Sequence, residues 1–570
     1  MKQFRYLAKL AAFAYKAHPL FFACALLALL SVGIELLAMS YLFPISSLAS
    51  NVPPSENSLP LRIFKWLGLD PSIRRLLLVF IILILIRITT QVLAQGLTLL
   101  LSKKLQAELS SLGFESVISV ISISDIERKS IGHYMVLAGE EASRASNLIL
   151  MINQFINSGA LAILYFLAIA NYSMGVGAAV LAFLAFTFLC LLDSFLRSQS
   201  LGARQLDEGK AATSFFVDSL NNLRSIRALG AEEYVKTSYR KHIFQYVRTA
   251  FDVEMLNVLG RSVPAMILLA ACGIWVFAAT SVAGANFSFT VTIIVFMLRF
   301  FPVIGQCLNI FLRIVADAKA GTDISEVLDL IRLQPVESLG ENLIGCVESI
   351  EIANVSFSYN GTDPVLKNFS AIFKKNRSYS IFGPSGAGKS TLTDLLVQFY
   401  PLERGRIEIN GHDLSKISLI SNRKKILVVG QQTAIFNDTV WNNIAVGASI
   451  SEKQMQRACE LACVDEVIRS LPLGYQTILN YQGTNLSGGQ RQRIGLARAL
   501  LRQADVLILD ESTNALDADT RESVVGNILE DYKERTVIFI THDTLVTGMV
   551  DEVIHLDSAR DDVKQNAVLQ

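Results

Sequence analysis

Six long apolar stretches in the first 316 residues constrain this chain more than any other feature of its sequence. At a helical rise of 1.5 Å per residue, a run of about 20 apolar residues crosses the roughly 30 Å hydrocarbon core of a bilayer. Hydrophobic residues make up 52% of the chain, and these runs account for the high value. The sequence therefore predicts six transmembrane helices, at about 19–44, 76–101, 147–170, 175–196, 255–280 and 289–315.

The charges between these stretches predict which side of the membrane each connection faces. Four basic residues precede the first stretch: Lys2, Arg5, Lys9 and Lys16. Because basic residues favour the cytoplasmic side, we expect the N-terminus to stay there and the first helix to be a retained anchor. The connections 171–174 and 281–288 then face outside and carry no Lys or Arg, whereas 45–75 carries four basic residues against the rule. The long charged connections 102–146 and 197–254 fall inside.

The first outer connection contains a candidate short helix at 59–68, where apolar residues recur at helical spacing. Its Phe64 and Trp66, next to Arg62 and Lys65, would suit a helix lying at the level of the outer headgroups. The alternative is a loop that packs on the neighbouring spans.

A glycine-rich loop after residue 345 predicts nucleotide binding. Residues 383–390 read GPSGAGKS, between a strand-like segment at 378–382 and a helical run. The glycines let backbone N–H groups surround phosphate oxygens, the lysine reaches the β and γ phosphates, and the serine hydroxyl binds Mg²⁺. ATP and Mg²⁺ are therefore the expected cofactors. The predicted phosphate contacts are Gly383, Pro384, Ser385, Gly386, Ala387, Gly388, Lys389, Ser390 and Thr391.

Two adjacent carboxylates complete this site in the sequence. The apolar segment 506–509 reads as a buried strand, and Asp510 and Glu511 follow it directly. We expect Asp510 to hold Mg²⁺ and Glu511 to polarise the water that attacks the γ-phosphate, because a general base must be a proton acceptor within hydrogen-bond reach.

A second phosphate-binding element lies about a hundred residues after the first. The segment LSGGQ at 486–490 precedes a helical run, and its predicted contacts are Ser487, Gly488, Gly489 and Gln490. A helix N-terminus attracts anions, yet this one has no ligand of its own. Two such elements in one domain are understandable if each completes the site of a partner subunit. We therefore predict a homodimer, with a heterodimer as the alternative.

Together these motifs resemble those of the ABC transporters, and the resemblance implies roles for further residues. Tyr359 stands where the family stacks an aromatic ring on adenine, and Gln431 where a glutamine joins Mg²⁺ and senses the membrane domain. Asp517 matches the acidic residue of the D-loop, and His542 matches the switch histidine that contacts the γ-phosphate and serves catalysis with Glu511.

The resemblance to type I exporter half-transporters covers the whole chain and implies its fold class. The implied fold class is a membrane α-helical domain, with six transmembrane helices and long cytoplasmic extensions, that is fused to an α/β P-loop ABC ATPase domain. The membrane domain covers residues 1–325, the linker 326–344, the ATPase domain 345–558 and a polar tail 559–570. Such proteins carry short coupling helices at the ends of the inner connections, and 124–130 and 215–222 match them. The implied enzymatic activity is ATP hydrolysis coupled to transport.

Three positions depart from the family pattern. Tyr481 replaces an acidic residue expected shortly before LSGGQ, Asn514 replaces a serine, and Asp543 follows His542 where arginine is common. None of them removes a catalytic group, so the departures concern the coupling contacts.

Polar residues inside the apolar stretches mark a candidate substrate cavity. A charge at the bilayer centre costs at least about 2.5 kcal/mol, so it usually faces the bundle interior. The predicted cavity residues are Glu35, Arg87, Gln91, Gln95, Arg261, Arg299, Gln306 and Arg313. One interpretation is that Glu35 pairs with an arginine and only holds helices together. The other is that the excess of arginines attracts an anionic amphipathic cargo, because guanidinium groups bind phosphates well.

Several membrane positions resemble the bacterial lipid-linked-oligosaccharide flippases, namely residues 34–40, Arg87, Arg261 and 298–302. One arginine of that family appears here as Gln306. The resemblance implies a multi-pass protein of the bacterial inner membrane, with its N-terminus and ATPase domain in the cytoplasm, that contacts membrane lipids and moves an anionic lipid-linked oligosaccharide outward. An exporter of peptides, lipids or drugs is the first alternative, and an ATP-gated channel or regulator is the second.

Net charge and cysteine spacing exclude other classes. The formal net charge is +1, which argues against a nucleic acid partner. The seven cysteines show no metal-ligand spacing, and Cys459 and Cys463 are expected to pack on one face of a helix.

Overall fold

The computed structural model describes residues 2–49, 59–66, 70, 72–120, 123, 126, 129–172, 174–281, 287–332, 340–343, 345–359 and 364–556. Some side chains inside these ranges are not described, including that of Arg261. Most of the first predicted coupling helix (124–130) and the tail (559–570) lie outside the described residues. The chain divides into a helical unit and an α/β unit, and the main boundary falls between residues 333 and 334.

The first unit is helical in its described residues. Its helices are α1 (Lys2–Ala17), α2 (Leu20–Ser40), α3 (Leu42–Ala49), α4 (Leu59–Trp66), α5 (Ile73–Glu115), α6 (Ile131–Val136), α7 (Ala142–Tyr172), α8 (Met174–Asn221), α9 (Leu223–Ala228), α10 (Glu232–Ser281) and α11 (Phe287–Arg332). Two π-helical turns, Ser116–Val120 and Leu137–Glu141, follow α5 and precede α7.

Each predicted apolar stretch falls within these helices: the first within α2 and α3, and the others within α5, α7, α8, α10 and α11. Helices α5, α8, α10 and α11 contain 43, 48, 50 and 46 residues, more than a bilayer requires. Among the described residues, four helical segments are long and apolar enough to cross a membrane, or five if two segments that meet at 45° form one span. The number six remains a prediction.

The helices pack around α7, which contacts α2, α5, α8 and α11. Tyr165 of α7 is fully buried in a cluster with Val32 of α2 and with Phe300 and Phe301 of α11. Close packing of α8 on α11 depends on Gly202, because a Cβ atom there would clash with the carbonyl oxygen of Ala316. Small residues permit such backbone contacts between membrane helices.

The short helix predicted at 59–68 is present as α4, which confirms that a helix forms there. Phe64 is buried in a cluster with Tyr41 and Leu76, whereas Trp66 is 85% exposed. One face of α4 is therefore packed on the neighbouring helices, as the alternative interpretation proposed, while its terminal indole remains free to contact other groups.

The second unit contains two sheets and flanking helices. Its strands are β1 (Ser349–Phe357), β2 (Leu366–Lys374), β3 (Arg377–Phe382), β4 (Arg404–Ile409), β5 (His412–Asp413), β6 (Ile426–Val429), β7 (Val506–Asp510), β8 (Thr536–Ile540) and β9 (Glu552–His555). Its helices of six or more residues are α12 (Lys389–Leu396), α13 (Leu419–Lys425), α14 (Val440–Ala445), α15 (Glu452–Leu461), α16 (Asp465–Ser470), α17 (Gly488–Arg502), α18 (Ala518–Asp531) and α19 (Thr544–Met549).

The larger sheet is parallel and has the order β6-β7-β8-β3-β9, whereas the smaller sheet is antiparallel with the order β2-β1-β4-β5. All five residues of β8 are buried, as expected for a central strand covered on both faces. Strands β6, β7, β8 and β3 are neighbours and run in the same direction. The four loops that follow them therefore meet at one edge of the sheet, where ligands of open α/β sheets usually bind.

Candidate nucleotide site and membrane cavity

The phosphate loop leaves β3 and enters α12, the context that the sequence predicts for it. Gly386 and Gly388 have φ angles of 82° and 95°, which residues with a Cβ atom rarely adopt. A Cβ atom at Gly388 would also lie 2.7 Å from the Leu366 side chain. The Lys389 ammonium donates hydrogen bonds to the carbonyl oxygens of Gly383 (2.8 Å) and Pro384 (2.9 Å), so it is held within the loop.

Asp510 ends β7 and lines the same pocket as Ser390 of the phosphate loop. Burial raises the pKa of Asp510 above its usual range, the neighbouring Ser390 hydroxyl opposes this, and the Glu511 charge adds to it. Two hard oxygen donors at one place are the ligand type that Mg²⁺ prefers, so Ser390 and Asp510 fit a magnesium ion.

Glu511 lies next to Asn514 of its own loop and next to side chains from two neighbouring loops. Its Oε2 accepts hydrogen bonds from Gln431 Nε2 at 2.9 Å and from Asn514 Nδ2 at 3.3 Å. His542 Nδ1 lies 3.6 Å from Glu511 Oε1, which is too long for a hydrogen bond. The φ angle of Glu511 is 47°, a strained value for a non-glycine residue that is typical of functional positions.

These groups line one pocket of about 290 Å³. Of the predicted residues it contains Ser385, Gly386, Gly388, Lys389, Ser390, Thr391, Gln431, Asp510 and Glu511. Tyr359 lies beside it, with its hydroxyl 3.0 Å from Thr391 Oγ1 and its ring 5.1 Å from that of Tyr400. The described residues Ser487, Gly488, Gly489, Gln490, Asp517 and His542 do not line this pocket.

The LSGGQ segment forms the N-terminus of α17. Ser487 accepts a hydrogen bond from the backbone N–H of Gln490 (3.2 Å), and the Gln490 side chain accepts one from the N–H of Ser487 (2.9 Å). This capping box fixes the end of the helix. A Cβ atom at Gly489 would lie 2.8 Å from the Ala515 carbonyl oxygen, so glycine allows α17 to approach the D-loop. Asp517 caps α18 by accepting from Thr520 N at 3.0 Å, which lowers its pKa.

Two residues that sequence reasoning missed connect these loops. The Gln492 side chain accepts a hydrogen bond from Ala515 N (2.9 Å) and donates one to the Gln431 carbonyl oxygen (3.4 Å). The Arg521 guanidinium donates to the carbonyl oxygens of Leu516 (2.7 Å) and Thr513 (3.2 Å) and pairs with the Asp543 carboxylate.

Asp543, which stands where the family commonly has arginine, is therefore paired with an arginine of α18, Arg521. Asp543 also caps α19 by accepting from Leu545 N at 2.9 Å. In the sequence, Gln492 could have been recognised as a polar residue at a buried position of a helix. Arg521 could have been recognised as a basic partner for the unusual acidic residue after His542.

The helical unit contains a cavity of about 360 Å³ at the predicted substrate region. Six predicted residues line it, namely Glu35, Arg87, Gln91, Gln95, Arg299 and Gln306. Three residues of α7, Gln154, Asn157 and Ser158, line it as well and were missed. Arg313 does not line it, and its guanidinium lies 3.6 Å from the Glu254 carboxylate. The side chain of Arg261 is outside the described residues.

The two arginines of the cavity differ in their partners. The Arg87 guanidinium lies 2.8 Å from Glu35 Oε2, and the Tyr165 hydroxyl donates to Glu35 Oε1 at 2.7 Å. Glu35 is only 3% exposed, so this pair is a buried link between α2, α5 and α7. In the described part of the chain, the exposed guanidinium of Arg299 has no ion pair and no hydrogen bond. Glu35 thus neutralises Arg87 and leaves Arg299 as the positive group of the cavity.

The fold and the site define a membrane-type helical unit joined to a P-loop nucleotide-binding unit. A family model described as the ABC transporter transmembrane region matches residues 21–306, about half of the chain, and the ABC transporter model matches residues 366–514. The chain belongs to the ABC transporter family.

Known relatives within this family differ in their named cargo. An ATP-dependent lipid A-core flippase from Syntrophus aciditrophicus is 33% identical over 354 residues, which are 60% of this chain and 58% of that protein. A mitochondrial iron-sulfur clusters transporter, ATM1, from Yarrowia lipolytica is 29% identical over 401 residues, which are 68% of this chain and 54% of that protein. The chain thus spans between half and two thirds of the length of these curated relatives.

The fold agrees with that of a solved structure over nearly the whole chain. A bacterial Atm1-family ABC exporter with ATP bound superposes with a TM-score of 0.77, and the match covers 96% of this chain and 97% of that one. Sequence identity is 22%, so this similarity establishes the fold: a helical membrane region fused to an ABC ATPase domain.

Proposed function

We propose that the protein is an ATP-driven exporter or flippase that moves an anionic amphipathic lipid, such as a lipid-linked oligosaccharide with a phosphate group, from the cytoplasmic to the outer side of a bacterial inner membrane. The observation that carries the proposal is Arg299, an exposed and unpaired guanidinium in a polar cavity within the membrane-type unit. A charge at this depth is costly unless it meets an opposite charge or water.

The nucleotide site supports ATP hydrolysis as the source of energy. Lys389 and the N–H groups of the phosphate loop would bind the β and γ phosphates, and Ser390 and Asp510 would hold Mg²⁺ with Gln431. When bound, Mg²⁺ would neutralise charge on the phosphate oxygens. Glu511 Oε1 accepts no hydrogen bond from Gln431 or Asn514, which both bond Oε2, so Oε1 is available to take the proton of the attacking water.

Residues 487–490 do not line the described pocket, which is compatible with a nucleotide site that a second subunit completes, in a homodimer by this proposal. In such an assembly, the N-terminus of α17 from a second copy would supply further N–H groups to the γ-phosphate. ATP would then bind across the subunit interface and stabilise the associated state, and hydrolysis would release it. This cycle would drive alternating access of the cavity.

The Glu35–Arg87 pair favours a second candidate, an exporter of less highly charged lipids, peptides or drugs. With Arg87 neutralised, the cavity presents one free positive charge per chain instead of two. The different cargoes in the names of the relatives are compatible with either candidate.

Proteoliposomes would distinguish these candidates. We expect ATP-dependent movement of a polyprenyl-pyrophosphate oligosaccharide between leaflets, and no movement with Glu511→Gln. Arg299→Gln should abolish or strongly slow the movement, whereas Arg313→Gln removes a charge from the same helix outside the cavity and serves as the matched control. Equal movement in both arginine variants, or faster movement of an uncharged amphiphile, would favour the second candidate.

A further inference from the structure

Five carboxamide side chains line the cavity next to Arg299: Gln91, Gln95, Gln154, Asn157 and Gln306. They come from α5, α7 and α11. Their spacings of four residues on α5 and three residues on α7 place each pair on one helical face. The cavity therefore contains more uncharged hydrogen-bonding groups than charged ones.

These carboxamides do not hold the helices together. In the described part of the chain, none of the five side chains has a hydrogen-bond partner, and Asn157 Oδ1 is fully buried without one. The neighbouring Glu35 differs from them, because its carboxylate accepts a hydrogen bond from the Tyr165 hydroxyl at 2.7 Å and pairs with Arg87. Buried polar atoms are normally hydrogen-bonded, so the buried Asn157 Oδ1 indicates a missing partner, and the four other carboxamides, which are half-buried or exposed, line the same cavity with their hydrogen-bonding groups available to a ligand.

The chemistry of the carboxamide selects the ligand. Each one offers two N–H donors and a carbonyl acceptor, which matches a hydroxyl group that both donates and accepts. Phosphates would favour basic groups instead, and acyl or prenyl chains would favour apolar walls. The volume of about 360 Å³ lies within the usual range for small-molecule sites.

We propose that these five carboxamides form a subsite for an uncharged, hydroxyl-rich part of the cargo, such as a sugar ring, adjacent to the anion held by Arg299. This subsite rests on the proposed function, because it assumes that the cavity binds the cargo. Arg299 would bind the negative charge of the cargo, and the carboxamides would form hydrogen bonds with its hydroxyl groups.

A pair of probes that differ only in the sugar tests this subsite. The probes are polyprenyl pyrophosphate and the same lipid carrying an oligosaccharide, and the readout is the half-saturating lipid concentration for ATP-dependent movement in proteoliposomes. The double variant Gln91→Met/Gln95→Met keeps the side-chain size but removes two carboxamides. Thr89→Val is the matched control, because Thr89 is on the same helix outside the cavity and its hydroxyl bonds only to Leu85 O at 2.9 Å.

The loss of two hydrogen bonds should raise the half-saturating concentration of the sugar-bearing lipid about tenfold. The value for the sugar-free lipid and both values for Thr89→Val should stay within about twofold, since no carboxamide contact is lost. Asn157→Leu, on another helix, should reproduce the selective effect. An equal effect on both lipids, or no effect on either, would overturn the subsite.

Binding to the purified protein in detergent separates this proposal from the proposed function. If the unaltered protein moves neither lipid, the flippase function fails. A sugar-dependent preference in binding that is lost in Gln91→Met/Gln95→Met would still support the subsite. Equal binding of the two lipids, or binding of neither, would overturn it.

Discussion

At the scale of single residues, the nucleotide site is held together by side chains outside the familiar motifs. Arg521 joins the D-loop to the loop after His542, because one guanidinium bonds two carbonyl oxygens and the Asp543 carboxylate. Asn514, another departure from the family pattern, donates to Glu511. Two of the three departures, Asn514 and Asp543, thus have local partners close to the catalytic groups.

Arg521→Met should lower the kcat for ATP hydrolysis about tenfold or more while changing the KM for ATP little, since positioning of Glu511 and His542 affects the chemical step more than binding. Asp543→Asn should lower the kcat less than Arg521→Met does, because an asparagine can still cap α19. Steady-state ATPase assays would measure both. Arg377→Met, which breaks an exposed pair with Glu552 at 3.5 Å, is the control. A rise in KM with unchanged kcat would contradict the positioning role.

The buried carboxyl of Asp510 predicts how the need for Mg²⁺ changes with pH. Its pKa is raised, so it takes up a proton at higher pH than an ordinary aspartate with a pKa near 3.9. A protonated carboxyl is a poor magnesium ligand. As the pH is lowered, the half-saturating Mg²⁺ concentration for ATPase activity should therefore begin to rise at a higher pH than an ordinary aspartate would require, and excess Mg²⁺ should restore activity. A half-saturating concentration that does not depend on pH would contradict this assignment.

At the scale of helices and strands, local sequence signals predicted the elements that carry chemistry better than the contacts between them. The β3–loop–α12 unit and the strand that ends in Asp510 follow from apolar runs next to glycines and carboxylates. Which face of α7 meets the cavity could not be predicted, because Gln154 and Asn157 are polar residues in an apolar helix whose neighbours the sequence does not specify. Arg313 was assigned to the cavity by spacing alone, and the contact with Glu254 depends on the packing of α10 on α11.

A buried ion network connects three elements of the helical unit. Lys210 Nζ of α8 lies 2.5 Å from Oε1 of Glu141, in the turn before α7. The same nitrogen lies 3.0 Å from Oδ2 of Asp323 on α11. Glu141 is fully buried, so loss of its partner leaves an uncompensated charge. Lys210→Met should therefore destabilise the helical unit by about 3–5 kcal/mol.

Thermal unfolding in detergent would show this effect as a large fall in Tm. Adding Glu141→Gln to Lys210→Met should recover part of the loss, because the unpaired charge is removed. Lys236→Met, which breaks an exposed pair with Glu233 at 2.8 Å, should leave Tm unchanged. If Lys210→Met and Lys236→Met both change Tm only slightly, the network does not stabilise the packed helices.

At the scale of the whole molecule, the described pocket contains only part of the predicted nucleotide site. The pocket that contains Lys389 and Glu511 is lined by the phosphate loop and its neighbouring strands, and residues 487–490 do not line it. The capping box of Ser487 and Gln490 nevertheless fixes a helix N-terminus suited to a phosphate. A second copy that supplies this helix end would explain both features.

Mixing two inactive variants tests this arrangement. Lys389→Ala removes the phosphate-loop lysine but keeps the LSGGQ segment, and Ser487→Arg blocks that segment but keeps the phosphate loop. Each variant alone should lack ATPase activity. In a mixed dimer, one site combines both defects and the other combines an intact phosphate loop with an intact LSGGQ segment. Random pairing makes about half of the dimers mixed, so co-expression should restore activity to about a quarter of the normal value.

Two affinity tags, one on each variant, would isolate the mixed dimers for the assay. Recovered activity in that fraction requires that each site draw residues from both copies, because sites built within one chain would all remain defective. Activity should also disappear when Glu511→Gln is added to the Ser487→Arg copy, which supplies the only intact phosphate loop, and persist when it is added to the Lys389→Ala copy. Isolated mixed dimers without activity would contradict the shared site.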